Sequence, residues 1–130
     1  MARLSLVTLL VDDYDRAIAH YRDALGFEVR EDTDLGGGKR WVRVAPPGNG
    51  GSELLLAVAS TEQQRARIGD QTGGRVAFFL ETGDFWRDHA RMSAAGVEFL
   101  ESPREEPYAT VAVFRDAYGN RWDLLQRKAR

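Results

Sequence analysis

The stretch VTLLVDDYDRAIAHYRDALGF, Val7 to Phe27, decides the fold. Its first five residues, apolar around Thr8, read as a strand. Asp12, Asp13 and Asp15 then supply an N-cap and first-turn acids, which satisfy free helical N–H groups and favour the positive end of the helix dipole. Ala17, Ile18, Tyr21 and Leu25 fall on one helical face, and Gly26 stops the helix. Strand, acidic turn, amphipathic helix and glycine stop therefore follow one another within one short segment.

The same order recurs later in the chain. Val76-Ala77-Phe78-Phe79-Leu80 matches the opening strand, and Asp84 offers a cap for a helix whose inner face carries Phe85, His89, Met92 and Ala95. Gly96-Val97-Glu98-Phe99 stands seventy positions after Gly26-Phe27-Glu28-Val29. Trp41–Val44 and Glu53–Leu56 likewise match Thr110–Val113 and Asp123–Gln126. A repeat in constant order predicts two β-α-β-β-β modules. They cover residues 1–58 and 74–130, joined by a polar linker over 59–73 that has the spacing of a one-turn or two-turn helix. The strands after the helices are expected at Phe27–Arg30, Trp41–Ala45 and Glu53–Ala59, then at Val97–Leu100, Thr110–Arg115 and Arg121–Gln126. Gly36-Gly37-Gly38 is either a mobile loop over a pocket or a plain surface turn.

Composition narrows the function. The chain has 130 residues, enough for one core, with 43% hydrophobic and 29% charged residues and a formal net charge of −2. That balance gives no support to disorder or to nucleic-acid binding. The absence of cysteine removes disulfides, thiolate zinc sites and cysteine nucleophiles together. The apolar run Leu4–Val11 is too short to span a bilayer, and no basic leader precedes it, so the expectation is a cytoplasmic protein without membrane contact.

The quoted stretch, with its closing Tyr21, Leu25, Gly26 and Phe27, resembles the vicinal oxygen chelate superfamily, as do Phe114-Arg115-Asp116 and Gly119-Asn120. That superfamily includes glyoxalase I, extradiol dioxygenases and bleomycin-resistance proteins. The resemblance covers nearly the whole chain. It implies an α+β domain in which two βαβββ modules form a curled mixed sheet around a cleft, commonly in a homodimer. In metal-dependent members it implies a ligand on the first strand and another on the last strand of each module. Those positions fall here on Leu6, Arg75, Glu53 and Asp123. Leucine and arginine are not ligands for a divalent metal, and the two carboxylates alone leave the set incomplete. His20 and His89 lie on helices outside the sheet, so the expectation is that no metal and no other cofactor binds.

Period-two alternation with Leu6 inward gives the rest of the cleft. Its lining is then Leu4, Leu6, Thr8 and Leu10; Arg75, Ala77, Phe79 and Glu81; Trp41 and Arg43; Glu53 and Leu55; Thr110, Ala112 and Phe114; and Arg121, Asp123 and Leu125. Tyr108 forms a rim. The ligand-binding residues expected from this set are Leu6, Thr8, Trp41, Arg43, Glu53, Arg75, Phe79, Tyr108, Phe114 and Asp123, with no catalytic residue among them. Arg75 either pairs internally with Asp123 or Glu53 or clamps an anionic group on a ligand. A carboxylate beside an arginine has a lowered pKa and makes a weak base. The function expected is binding of a small organic molecule, and the alternative is a metal-dependent or metal-free lyase, isomerase or dioxygenase on the same scaffold.

Overall fold

A computed structural model describes residues 1–129. They fall into two compact units, Met1–Gly69 and the remainder from Asp70 onward. In the first unit β1 (Leu6–Val11) leads into α1 (Tyr14–Ala19), followed by β2 (Glu28–Gly36), β3 (Lys39–Ala45), β4 (Glu53–Val58) and the short α2 (Glu62–Ala66). The Asp13 carboxylate accepts the Arg16 N–H at 2.7 Å, so the acid caps the helix as its position requires. After Ala19 the helix widens into a π turn, His20–Ala24. The Phe27 N–H closes on the Tyr21 carbonyl at 2.8 Å, and Gly26 adopts φ +76° to allow the reversal. Tyr21 is wholly buried against Phe27.

The second unit runs β5 (Val76–Glu81), α3 (Phe85–Ala94), the two-residue strands β6 (Glu98–Phe99) and β7 (Arg104–Glu105), then β8 (Ala109–Arg115) and β9 (Arg121–Arg127). Asp84 caps α3 through the Arg87 N–H at 3.2 Å, and Gly96 leaves it at φ +91°. A turn with buried Asp116 and Asn120 joins β8 to β9. There the Asp116 carboxylate accepts the backbone N–H groups of Tyr118 and Asn120, each at 3.0 Å, and the side-chain N–H groups of Asn120 and Trp122 at 2.9 and 3.3 Å.

The strand order is β1-β4-β3-β2 in one sheet and β5-β9-β8-β6 in the other, with β7 also on β8. In each sheet the module's first and last strands pair in parallel, β1 with β4 and β5 with β9, and the other pairs are antiparallel. The repeated β-α-β-β-β order is present. The curled sheet around a cleft is not: the strands form two separate sheets, each open at both ends of its strand order, and neither is closed or strongly curled. Similar order along the chain fixes which strands pair, but it does not fix how far a sheet bends.

The cores lie between sheet and helix. Leu9, Val11, Val42, Val44 and Leu56 are buried on the face of the first sheet that meets α1, where Ala17, Ile18 and Tyr21 pack. In the second unit Phe114, Trp122 and Leu124 share a face, and α3 contacts β9.

Candidate functional site

The opposite face of the first sheet gathers five of the ten expected ligand residues, Leu6, Thr8, Trp41, Arg43 and Glu53. Cross-strand register sets Leu6 beside Glu53, Thr8 beside Leu55, and Leu55 beside Arg43. Residues directly opposite one another share a face, so Leu6, Thr8, Leu10, Arg43, Glu53 and Leu55 all point away from α1, together with Trp41 opposite Thr33. Alternation in this unit is therefore read correctly from the sequence.

A groove of about 420 Å³ lies beside the start of β3 and the end of β4 and is lined from both faces, with Leu56 and Val58 from the helix side. Thr8, Leu55 and Ala57 contribute to its lining, Trp41 is a wall at 36% exposed, and Gly37, Gly38 and Lys39 form a lip. Tyr14 and Arg40 also line it. The volume lies within the range of small-molecule sites, and the make-up, mainly apolar with few polar groups, matches them. Of the two readings that the sequence leaves open for the glycine run, a loop over a pocket or a plain surface turn, the first has Gly37 and Gly38 in the groove's lining in its favour.

Two arginines beside the groove are engaged by acids. Arg40 bonds Asp32 at 2.7 and 3.1 Å and Asp15 at 2.9 Å, and its guanidinium lies over the Tyr14 ring at 5.2 Å. These acids, Asp32 foremost, raise its already high pKa. Arg43 bridges Glu31, at 3.0 Å, and Glu53. The Thr33 hydroxyl, and after it Arg43, holds the Glu31 carboxyl below its ordinary value. Glu53 is thus committed to a cross-strand ion pair. Sequence reasoning placed both residues on one face but did not join them.

The second unit departs further from expectation. Arg75 precedes β5, is exposed, and makes no ion pair with Asp123. Its carbonyl accepts the Thr72 hydroxyl at 2.7 Å, which ties down the backbone rather than the guanidinium. A register shift between Val76 and Phe78 pairs Val76 with Arg121 and Phe78 with Trp122, so alternation counted from Arg75 and Ala77 breaks at Ala77. Beyond the shift Phe79 stands beside Asp123, as expected, and is 66% exposed. Val113, not Ala112 or Phe114, is the β8 neighbour of Asp123. Phe114 belongs to the opposite face, 0% exposed and stacked on Trp122 at 5.7 Å. Tyr108 is exposed before β8. His89 packs between Phe85 and Phe99 in the aromatic cluster of α3 and β6.

Asp123 on this sheet is shifted in the direction opposite to a salt-bridged carboxylate. Its Oδ1 is buried without a hydrogen-bond partner among the described residues. Burial pushes the carboxyl above its ordinary value; Arg104 opposes the shift and Glu101 adds to it. The direction is opposite to that expected of an arginine-paired acid. A folded chain that holds this proton more tightly than the unfolded chain loses stability as pH rises between the unfolded and folded pKa values. Asp123→Asn is therefore expected to raise the melting temperature at neutral pH, with the gain shrinking as pH falls toward the ordinary carboxylate range. Melts of both proteins across that range check it.

The family model described as the Glyoxalase/Bleomycin resistance protein/Dioxygenase superfamily matches residues 3–124. The chain belongs to this superfamily. A protein of Shewanella frigidimarina is 54% identical over 121 residues, covering 92% of this chain and 90% of that one. The crystal structure of UcmS2 superposes with a TM-score of 0.82 at 35% identity, covering 96% of this chain and 98% of that one. That of TnmS3, described as an antibiotic binding protein from Streptomyces sp. CB03234, gives 0.78 at 27% identity and covers 98% of both chains.

Metal chemistry of the kind found in this superfamily does not fit the donors present. Leu6 offers no donor atom, Glu53 is held by Arg43, and Arg75 lies outside the strand. Among the described residues no three His, Cys, Asp or Glu side chains are grouped to hold an ion. No helix among them is long and apolar enough to cross a membrane.

Proposed function

We propose that this superfamily member binds a small, flat organic molecule in the groove of its first unit, without a metal. The observation that carries the reading is Trp41, a half-exposed indole lining a groove of small-molecule size together with Leu55 and Ala57. Indole is costly to leave in water and stacks well on planar ligands. The description of TnmS3 as an antibiotic binding protein supports the same class of function. Within this reading Leu6, Thr8, Trp41 and Leu55 supply contact surface, and the Arg43–Glu53 pair stiffens the neighbouring strands. On the second unit Phe79, beside Asp123, and Tyr108 are exposed.

Naphthamide, an uncharged two-ring probe, tests the reading by calorimetry on chelator-treated protein. Stacking contributes about 0.5–1.5 kcal/mol beyond burial, so with the lost contact area Trp41→Ala is expected to weaken binding about tenfold. The far-ultraviolet spectrum should not change, because the side chain is not part of the core. Equal affinity in the two proteins, or binding only when metal is restored, sinks the reading.

A further inference from the structure

Two cations line the groove, Lys39 and Arg40, and no Asp or Glu side chain does. Arg40 is taken up by two carboxylates, Asp32 and Asp15, and is fixed against Tyr14. Lys39 has no hydrogen bond or ion pair among the described residues. It opens β3 opposite Gly36, at the end of a hairpin whose turn residues Gly36, Gly37 and Gly38 have φ of +86°, +63° and +82°. Those conformations suit glycine, so the turn adds no side chain between the ammonium and the groove. Lys39 and Trp41 alternate on one strand with one residue between them, which places both on the same side of β3.

We propose that the groove selects aromatic molecules bearing an acidic group, with Trp41 against the ring and Lys39 on the carboxylate or ionised phenol. This deepens the reading above and rests on it. An ammonium left without a counter-ion beside apolar surface attracts an anion at little desolvation cost, because its head remains wet. The unpaired ammonium therefore favours a ligand with an acidic group, while the aromatic wall determines its shape.

The test uses naphthoate and its uncharged amide, naphthamide, titrated into the full chain and into Lys39→Met, Lys39→Arg and Trp41→Ala. The wild type is expected to prefer naphthoate about fivefold to tenfold, the scale of a charge-assisted contact reduced by solvent. That preference should fall with added salt, vanish in Lys39→Met and largely return in Lys39→Arg. Trp41→Ala should weaken both probes alike. Equal binding of the two probes to wild type, or a naphthoate preference that survives in Lys39→Met, overturns the anion proposal while Trp41 dependence leaves the groove standing. If neither probe binds, or Trp41→Ala changes neither, the groove reading fails and the anion proposal fails with it.

Discussion

Asp116→Ala is expected to destabilise the protein by about 3–5 kcal/mol, the sum of several orphaned donors partly rescued by water. The carboxylate is 4% exposed and gathers four N–H groups: two from the turn backbone, one from Asn120 and one from the Trp122 indole. The Asp116 N–H also meets the Asn120 carbonyl at 3.0 Å, and the Gly119 N–H returns to the Asp116 carbonyl at 3.1 Å. Removing the side chain leaves buried donors unpaired at the junction that sets the β8–β9 register. A shift on the order of 10–15 °C in Tm should follow. Asp116→Asn, which keeps one acceptor oxygen, should lose about half as much. A melt within a degree or two of wild type for the alanine variant would show that the turn does not hold the sheet together.

Phe114→Ala is expected to cost about 3–5 kcal/mol, the usual range for an aromatic removed from a core. The ring is wholly buried, stacked on Trp122 at an interplanar angle of 18° and set 5.6 Å from Phe99. Its loss opens a cavity in the middle of an aromatic row that continues to His89 and Phe85. Phe114→Leu, keeping most of the volume, should cost less than half of this. Below the melting transition, binding of naphthamide in the first unit should be unchanged in either variant. Weaker binding without loss of stability would instead return Phe114 to the ligand surface where alternation first placed it.

The contrast between the two sheets explains what the sequence could reveal. In β1, Thr8 stands between Val7 and the buried Leu9, and Arg43 separates Val42 from Val44, so polar residues mark one face and the parity is readable. In β8, Ala109, Val111, Ala112 and Phe114 are all buried, and the polar Thr110 shares the parity of the buried Ala112 and Phe114, so the pattern does not show which side faces the helix. The shift at Ala77 then moved the register by one residue, and the pattern of apolar side chains carries no mark of it. Helix ends were easier. Asp13, Asp84, Gly26 and Gly96 each impose a local backbone requirement, and each stands where the structure needs it. β2 runs on to Gly36 past the expected Arg30, because Glu31-Asp32-Thr33-Asp34 is held by cross-strand pairing with β3 and has no apolar alternation.

Charge partners were the least legible part of the site. The sequence allows Glu53 as a metal-ligand position or a partner of Arg75, but the β3–β4 register brings Arg43 to it. Arg40 chose Asp32 across the hairpin and Asp15 from the first turn of α1, a combination that depends on tertiary packing. Lys39 stood out only after those pairs were assigned.

Amide chemical shifts followed through a naphthamide titration in excess chelator address the central claim directly, since they report location and metal dependence together. The account predicts perturbations gathered on Thr8, Leu55, Ala57 and Gly37 to Trp41, with the signals of β8 and β9 unmoved. Perturbations centred on Phe79 and Asp123, or a titration that requires a divalent metal, would contradict it.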